Sequence, residues 1–218
     1  MVEAVLDVVG NTAPSVMLGN VKLSCKRQLS WFDFDEKSNE ESICIVGGGP
    51  SLSESFPQLA ARFQNGAQVW SVNGSYDWLL ERGIVPDGHQ TEGVYEYLED
   101  EKERPVHLMG GFTTVGMLAM VLAKLKGYKR IYLFGMDSSY SEDQHHVYKQ
   151  ESNDGETIIT ASIHEQKYKA APWMCQQVKD FQNIAREFAQ EDVVIEVCGS
   201  GLLFAMAKAM SFPLTERI

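Results

Sequence analysis

Long apolar runs are missing from this chain. No stretch of about 18 consecutive hydrophobic residues occurs, so no segment reads as a membrane span. A basic-then-apolar leader is missing too: the opening MVEAVLDVVG carries Glu3 and Asp7 where a signal peptide would carry lysine or arginine. The expectation is a cytoplasmic protein. Basic charge is also scarce, with 19 basic against 30 acidic side chains and a net charge of -11. The densest basic clusters, Lys22 to Arg27 and Lys124 to Arg130, are too sparse to track a duplex or a single strand. Extended nucleic acid is thereby excluded as a partner. A small phosphate anion is not, because backbone N–H groups hold such an anion locally whatever the net charge. Cysteine pairing signals are absent as well. Cys25, Cys44, Cys175 and Cys198 form no C-x-x-C pair, and Cys44 and Cys198 lie in apolar, strand-like runs. They read as unpaired thiols of a reducing compartment rather than as a disulfide framework.

What is present suits one domain. The chain has 218 residues, 44% hydrophobic and 22% charged, without repeats or low-complexity tracts. Residues 1–40 are mixed, ending in the acidic run from Asp33 to Glu41, and read as an N-terminal extension or edge element. Residues 41–218 carry a regular alternation and read as a Rossmann-like nucleotide-binding domain. SICIVGGG from Ser42 and AQVWSVNG from Ala67 are buried-strand patterns, with helix-type sequence around Gln58–Gln64 between them, entered through Pro57. SYDWLLERG is a short helix stopped by Gly83. PDGHQTEG and PVHLMGG suggest two short strands. FTTVGMLAMVLAKLKGY is the strongest helix, capped by Thr113 or Thr114 and ended by Gly127. KRIYLFGMD is a further strand. WMCQQVKDFQNIAREFAQ is an amphipathic helix with Met174, Val178, Phe181, Ile184 and Phe188 on one side. DVVIEVCG and LLFAMAKAM supply the last strand and helix. Strands alternating with helices predict an α/β, Rossmann-like fold: a mostly parallel sheet with helices on both faces. Ligands of such sheets sit beyond the carboxyl ends of the strands. The loops Gly47–Leu52, Asn73–Tyr76, Gly135–Tyr140 and Gly199–Gly201 all follow strands.

The first of these loops, Gly47-Gly48-Gly49-Pro50-Ser51-Leu52, is the leading candidate for a phosphate site. Three glycines allow positive φ and close approach of a ligand, Pro50 presets helical φ, and Ser51 adds a hydroxyl beside the amides of the next turn. A tight strand-to-helix turn without a ligand is the competing reading. Two nucleotide folds are excluded: no lysine follows the glycines as a P-loop requires. Leu52 stands where the dinucleotide fingerprint needs glycine or alanine, and Asn73 replaces the acidic ribose ligand. Asn73 either touches the nucleotide or ends its strand in a turn.

The stretch MDSSYSEDQHHVYKQ places Asp137, Tyr140, Asp143, His145, His146 and Tyr148 in one segment after a strand. It offers carboxylates for a metal, imidazoles for general-base work and phenols for phosphate contacts. Asp137, Tyr140, His145, His146 and Tyr148 are therefore the candidate catalytic residues. Adjacent histidines on a strand would face opposite sides, so only one of the pair can serve one site. The structural alternatives are a capping Asp137, packed tyrosines and solvated histidines.

The ordered set IVGGGPSL, SVNG, GIVPD, GGFTTVGMLAMVLAKLKGYKRIYLFGMDSSY and IEVCGSGLL resembles a family of Rossmann-like transferases. The family includes archaeal 6-hydroxymethylpterin diphosphokinases (MptE-like), motility-associated glycosyltransferase-like proteins, and bacterial and phage members. The glycine loop, GYKRIYLFGMD and CGSGLL are also similar to segments of Campylobacter-type sialyltransferases, which use a CMP-sugar. The likeness spans about residues 42–148 and 174–210. It implies a nucleotide cofactor, ATP or a CMP- or UDP-sugar, with a small-molecule acceptor. It also implies that Gly47–Leu52 cradles the phosphates, with Asn73, Gly135 to Asp137 and Ser200 around the nucleoside. Thr113, read from its own place at a helix start, is a further candidate phosphate contact that shares this role with capping the helix. The diphosphokinases hold magnesium through acidic residues after G-I-x-P-D, which correspond here to Asp87 and Glu92. The chain departs from the sialyltransferases at Gly48, where they carry asparagine. It also lacks their histidine ahead of APWMCQQ, His164 being the nearest upstream. The expected function is pyrophosphoryl transfer from ATP to a pterin-like hydroxymethyl group. Glycosyl transfer and a non-catalytic nucleotide-binding module are the alternatives.

Overall fold

The structure is a computed structural model that describes residues 39–90, 112–141, 146–148 and 156–211. In chain order the elements are β1 (Asn39–Val46), α1 (Leu52–Gln64), β2 (Gln68–Val72), α2 (Ser75–Leu80), β3 (Gly88–Gln90) and α3 (Val115–Leu125). They continue with β4 (Tyr128–Phe134), β5 (Ile159–Ile163), β6 (Gln166–Ala170), α4 (Pro172–Ala189), β7 (Val194–Cys198) and α5 (Leu202–Ser211). Five strands form one parallel sheet in the order β3-β2-β1-β4-β7.

Why β1 lies at the centre follows from its composition. Ile43, Cys44, Ile45 and Val46 are all fully buried, as expected of a parallel strand covered on both faces. Ile43 and Ile45 join the core built with α3, α4 and α5, while Cys44 and Val46 join the core with α1 and α2. Helices thus cover both faces, and the fold is Rossmann-like α/β. The predicted apolar face of α4 is the buried one: Met174, Val178, Phe181, Ile184 and Phe188 all lie in the first core. No helix among the described residues is long and apolar enough to cross a membrane.

Three details differ from the sequence-based expectation. First, β1 begins at Asn39 rather than Ser42. Second, Pro57 neither opens nor interrupts a helix. It lies inside α1, which runs unbroken for 13 residues. A proline there removes one backbone hydrogen bond at about 3 kcal/mol. Leu52 and Leu59, both fully buried, offset that by about 1.5–3 kcal/mol each. Third, the antiparallel hairpin β5–β6 was not anticipated. Its residues, ITASIHEQKYKA, carry no Asn-Gly or Asp-Gly turn, and His164 takes the left-handed turn position at φ 51°. The predicted strand PVHLMGG and residues 1–38 lie outside the described residues.

Candidate functional site

The sheet's chain order reverses between β1 and β4, where β1 leads through α1 to β2 on one side and β4 has β7 on the other. That crevice is where an open parallel sheet takes its ligand. Around it stand the loops after β1, β2, β4 and β7, which hold most of the residues singled out in the sequence.

The β1 and β4 loops are laced together. Gly47 N–H donates to Phe134 O at 2.8 Å and Gly49 N–H to Gly135 O at 2.7 Å. A Cβ on Gly47 would come within 2.7 Å of Gly135 O, and one on Gly49 within 2.6 Å of Asp137 Oδ2. None of Gly47, Gly48 and Gly49 takes a left-handed φ, so close approach by β4, not backbone freedom, explains glycine at 47 and 49. This corrects the conformational reason expected from the sequence.

Asp137 completes the lacing. Ser51 N–H donates to Asp137 Oδ2 at 2.7 Å, and the Ser51 hydroxyl donates to Oδ1. Ser51, expected to face a phosphate, is thus bound to the chain's own anion. Among the described residues, the Asp137 carboxylate bonds Ser51 and no following turn. It sits at the start of α1, where the helix dipole and unpaired amides favour negative charge. Burial pushes its carboxyl up from 3.8 to about 6, against the pull of the two Ser51 hydrogen bonds, and the Glu54 charge adds to the rise. The Asp137 carbonyl also accepts Leu203 N–H at 3.0 Å, and Ser139 Oγ accepts Leu202 N–H at 3.2 Å. The β4 loop therefore supplies the caps for α5. Among the amides of Gly47–Leu52, that of Leu52 is also taken, by Gly49 O at 3.1 Å. The amides of Gly48, Ser53 and Glu54 have no partner among the described residues.

Tyr148 lies across the outer side of the glycine loop. Val147 N–H donates to Gly48 O at 3.0 Å, and the Tyr148 ring sits against both Gly48 and Gly74. Burial pushes the Tyr148 phenol's pKa up, against a smaller downward pull from the Gly74 backbone N–H. His146 stacks on the ring at 5.9 Å between centroids, 16° between planes. His145, Asp143 and Glu92 lie outside the described residues.

Other candidates are engaged elsewhere. Tyr140 is buried, and its hydroxyl donates to Glu156, whose other oxygen accepts Trp173 Nε1–H at 3.0 Å. Burial and then Glu156 push the Tyr140 phenol up. Thr113 gives its N–H (2.9 Å) and hydroxyl to Asp180, while Thr114 caps α3. Asp87 Oδ2 accepts Val69 N–H at 2.8 Å, bracing β2. Asn73 is exposed at φ 53° and Ser200 is exposed at the β7 loop. His164 is exposed at the hairpin tip. No group of three His, Cys, Asp or Glu side chains among the described residues could hold a metal.

Sequence reasoning missed three residues. Ser75 Oγ donates to Val46 O at 2.6 Å and accepts Val72 N–H at 3.0 Å, tying β2 to β1. Glu156 anchors Tyr140 and Trp173. Ser138 is buried at φ 53°, and its hydroxyl has no partner among the described residues. Only the serine after Asn73-Gly74 had a sequence signal, as a turn former.

The strand order and this crevice define a Rossmann-like protein whose ligand-accepting end is built by the β1, β2 and β4 loops. Comparison with known families then finds that residues 17–92 match the model described as "6-hydroxymethylpterin diphosphokinase MptE-like". The match covers about a third of the chain, from within the first forty residues through the glycine loop and Asp87 to Glu92. It thus starts earlier and stops sooner than the resemblance read from the motifs. Among solved structures, the Maf glycosyltransferase of Magnetospirillum magneticum AMB-1 is similar, with 17% identity and a TM-score of 0.50. The likeness covers 82% of this chain but 37% of that one, so this chain spans little more than a third of that enzyme's length. The sialyltransferase CstII of Campylobacter jejuni, solved in complex with a substrate analogue, cytidine-5'-monophosphate, matches at 15% identity and a TM-score of 0.34. That match covers 78% of this chain and 87% of that one. No curated protein matches the chain.

Proposed function

We propose that this chain is a nucleotide-dependent transferase that moves the diphosphoryl group of ATP to a hydroxymethyl group on a pterin-like ring. One observation carries the proposal. The segment matching the diphosphokinase family contains the glycine loop, and that loop stands at the sheet's reversal point with amides that have no partner among the described residues. In this reading the amides of Ser53 and Glu54, at the start of the 13-residue α1, meet donor phosphates. Asp137 is a positioning residue, because both its oxygens are on Ser51. His146 takes the acceptor's proton as its oxygen bonds to the β-phosphorus and AMP leaves.

A second reading, glycosyl transfer from a CMP- or UDP-sugar, draws support from the likeness in fold to the Maf glycosyltransferase. The separating experiment pairs thermal shifts with mass spectrometry. Formation of AMP that depends on added 6-hydroxymethyl-7,8-dihydropterin supports the first reading. Release of CMP or UDP from a sugar donor, together with metal-independent stabilisation by CMP, favours the second. Stabilisation by a nucleotide with no turnover of any donor would leave a binding module and refute both.

A further inference from the structure

We infer that the cleft between the β1 and β2 loops is a subsite for a flat heterocycle bearing an acceptor oxygen on its edge, and that Tyr148 fills it when no ligand is bound. The reason begins with two glycines whose backbones do not require glycine. Gly74 has φ -66° and ψ -5°, and Gly48 is not left-handed, so an alanine could adopt either conformation. What excludes a side chain is the ring above them. A Cβ on Gly74 would lie 2.6 Å from Tyr148 Cε2, and one on Gly48 would lie 2.6 Å from Cε1. The ring's oxygen lies beside Gly74, close enough for the Gly74 N–H to act on the phenol, and His146 stacks on the ring.

A ring against bare backbone, an edge oxygen beside a main-chain N–H and a stacked imidazole are the contacts that a purine, pyrimidine or pterin carbonyl edge would make. Tyr148 is half-buried, so its phenol can leave by a rotamer change. The inference rests on the transferase reading only in naming the ring's source, which is either the donor's base or the acceptor.

The test titrates 6-hydroxymethyl-7,8-dihydropterin, adenosine and cytidine against wild type, Tyr148→Ala, Tyr148→Phe and Gly74→Ala. If the cleft is open in about a tenth of molecules or fewer, emptying it tightens binding by about tenfold or more. Tyr148→Ala is expected to gain at least that for one heterocycle. Tyr148→Phe, which keeps the ring and loses only the oxygen, gains less. Gly74→Ala, whose methyl takes up the cleft, loses binding. In wild type carrying 3-fluorotyrosine, the Tyr148 resonance moves on addition of the same ligand. A gain with the pterin assigns the cleft to the acceptor, and a gain with a nucleoside assigns it to the donor. Equal or weaker binding by Tyr148→Ala for every probe, the result of a merely structural tyrosine, overturns the inference. Stabilisation of wild type by ATP, measured alongside, separates the two proposals. If ATP stabilises and no heterocycle gains, the subsite alone falls. If a heterocycle gains and no donor turns over, the subsite stands without the transferase.

Discussion

Replacing Asp137 by asparagine separates the charge of this side chain from its shape. Asparagine can keep both links to Ser51, with Oδ1 accepting the amide and Nδ2 donating to the hydroxyl, yet it has nothing to ionise. The wild-type carboxyl is pushed up from 3.8 to about 6, chiefly by burial. That gap of about two units corresponds to about 3 kcal/mol at 1.36 kcal/mol per unit. The sign follows from proton counting. Between the unfolded and folded pKa values the native state binds more protons, so stability falls as pH rises. The contribution is fully present below about pH 3.8 and is lost as pH passes through about 6. Urea unfolding of wild type and Asp137→Asn, from pH 4 to 7.5, should therefore show the variant gaining about 2–3 kcal/mol relative to wild type across that range. Other carboxylates cancel in the difference. A constant difference over the range would refute the account of Asp137 as a desolvated anion at the start of α1. Activity gives a second reading from the same variant. A group acting directly on the acceptor would lower turnover at least about a hundredfold when lost, whereas a positioning residue whose hydrogen bonds survive predicts a much smaller loss.

Three further variants probe the same framework. Gly199 has φ 121°, and a Cβ there would overlap Ser51 Oγ, so Gly199→Ala should lower stability by more than about 2 kcal/mol in denaturant titration, and an unchanged midpoint would remove the β7 loop from the clamp. Glu156→Ala leaves the buried Tyr140 hydroxyl without its acceptor, which costs about 1–3 kcal/mol, and should speed amide exchange in β5 and β6; unaltered exchange would show that Glu156 does not anchor the hairpin. Ser138→Gly relieves left-handed strain of about 1–2 kcal/mol and deletes an orphaned buried hydroxyl, against about 0.5–1 kcal/mol of glycine entropy. A net gain of about 1 kcal/mol or more is expected by thermal unfolding, and a loss would mean that the hydroxyl has a partner.

The layers of this fold were legible because their signals are strong and local. Four consecutive apolar residues from Ile43, the five-residue apolar face of α4 and the Gly83 and Gly127 stops each report one physical demand. Pro57 was misleading because its local cost is real, and only the burial of Leu52 and Leu59 against the sheet outweighs it. The hairpin was illegible for the opposite reason. Its residues are largely exposed, and its position depends on Glu156 and on the pairing of Tyr140 with Lys169, which are contacts rather than patterns.

The candidate site shows where sequence reading stops. Glycine in a strand-end loop states that something comes close to the backbone, but not what comes close. At Gly47 and Gly49 it is the β4 loop, and at Gly48 and Gly74 it is Tyr148. The acidic residue that seemed poised to act on a ligand instead neutralises the α1 terminus that seemed poised to receive one. A phosphate therefore competes with Asp137 if it seeks the Ser51 amide, and escapes that competition at Ser53 and Glu54, one turn along the same helix. Because protonation of Asp137 near pH 6 would weaken the competitor, the physical picture requires phosphate affinity at this helix terminus to rise, not fall, as Asp137 loses its charge.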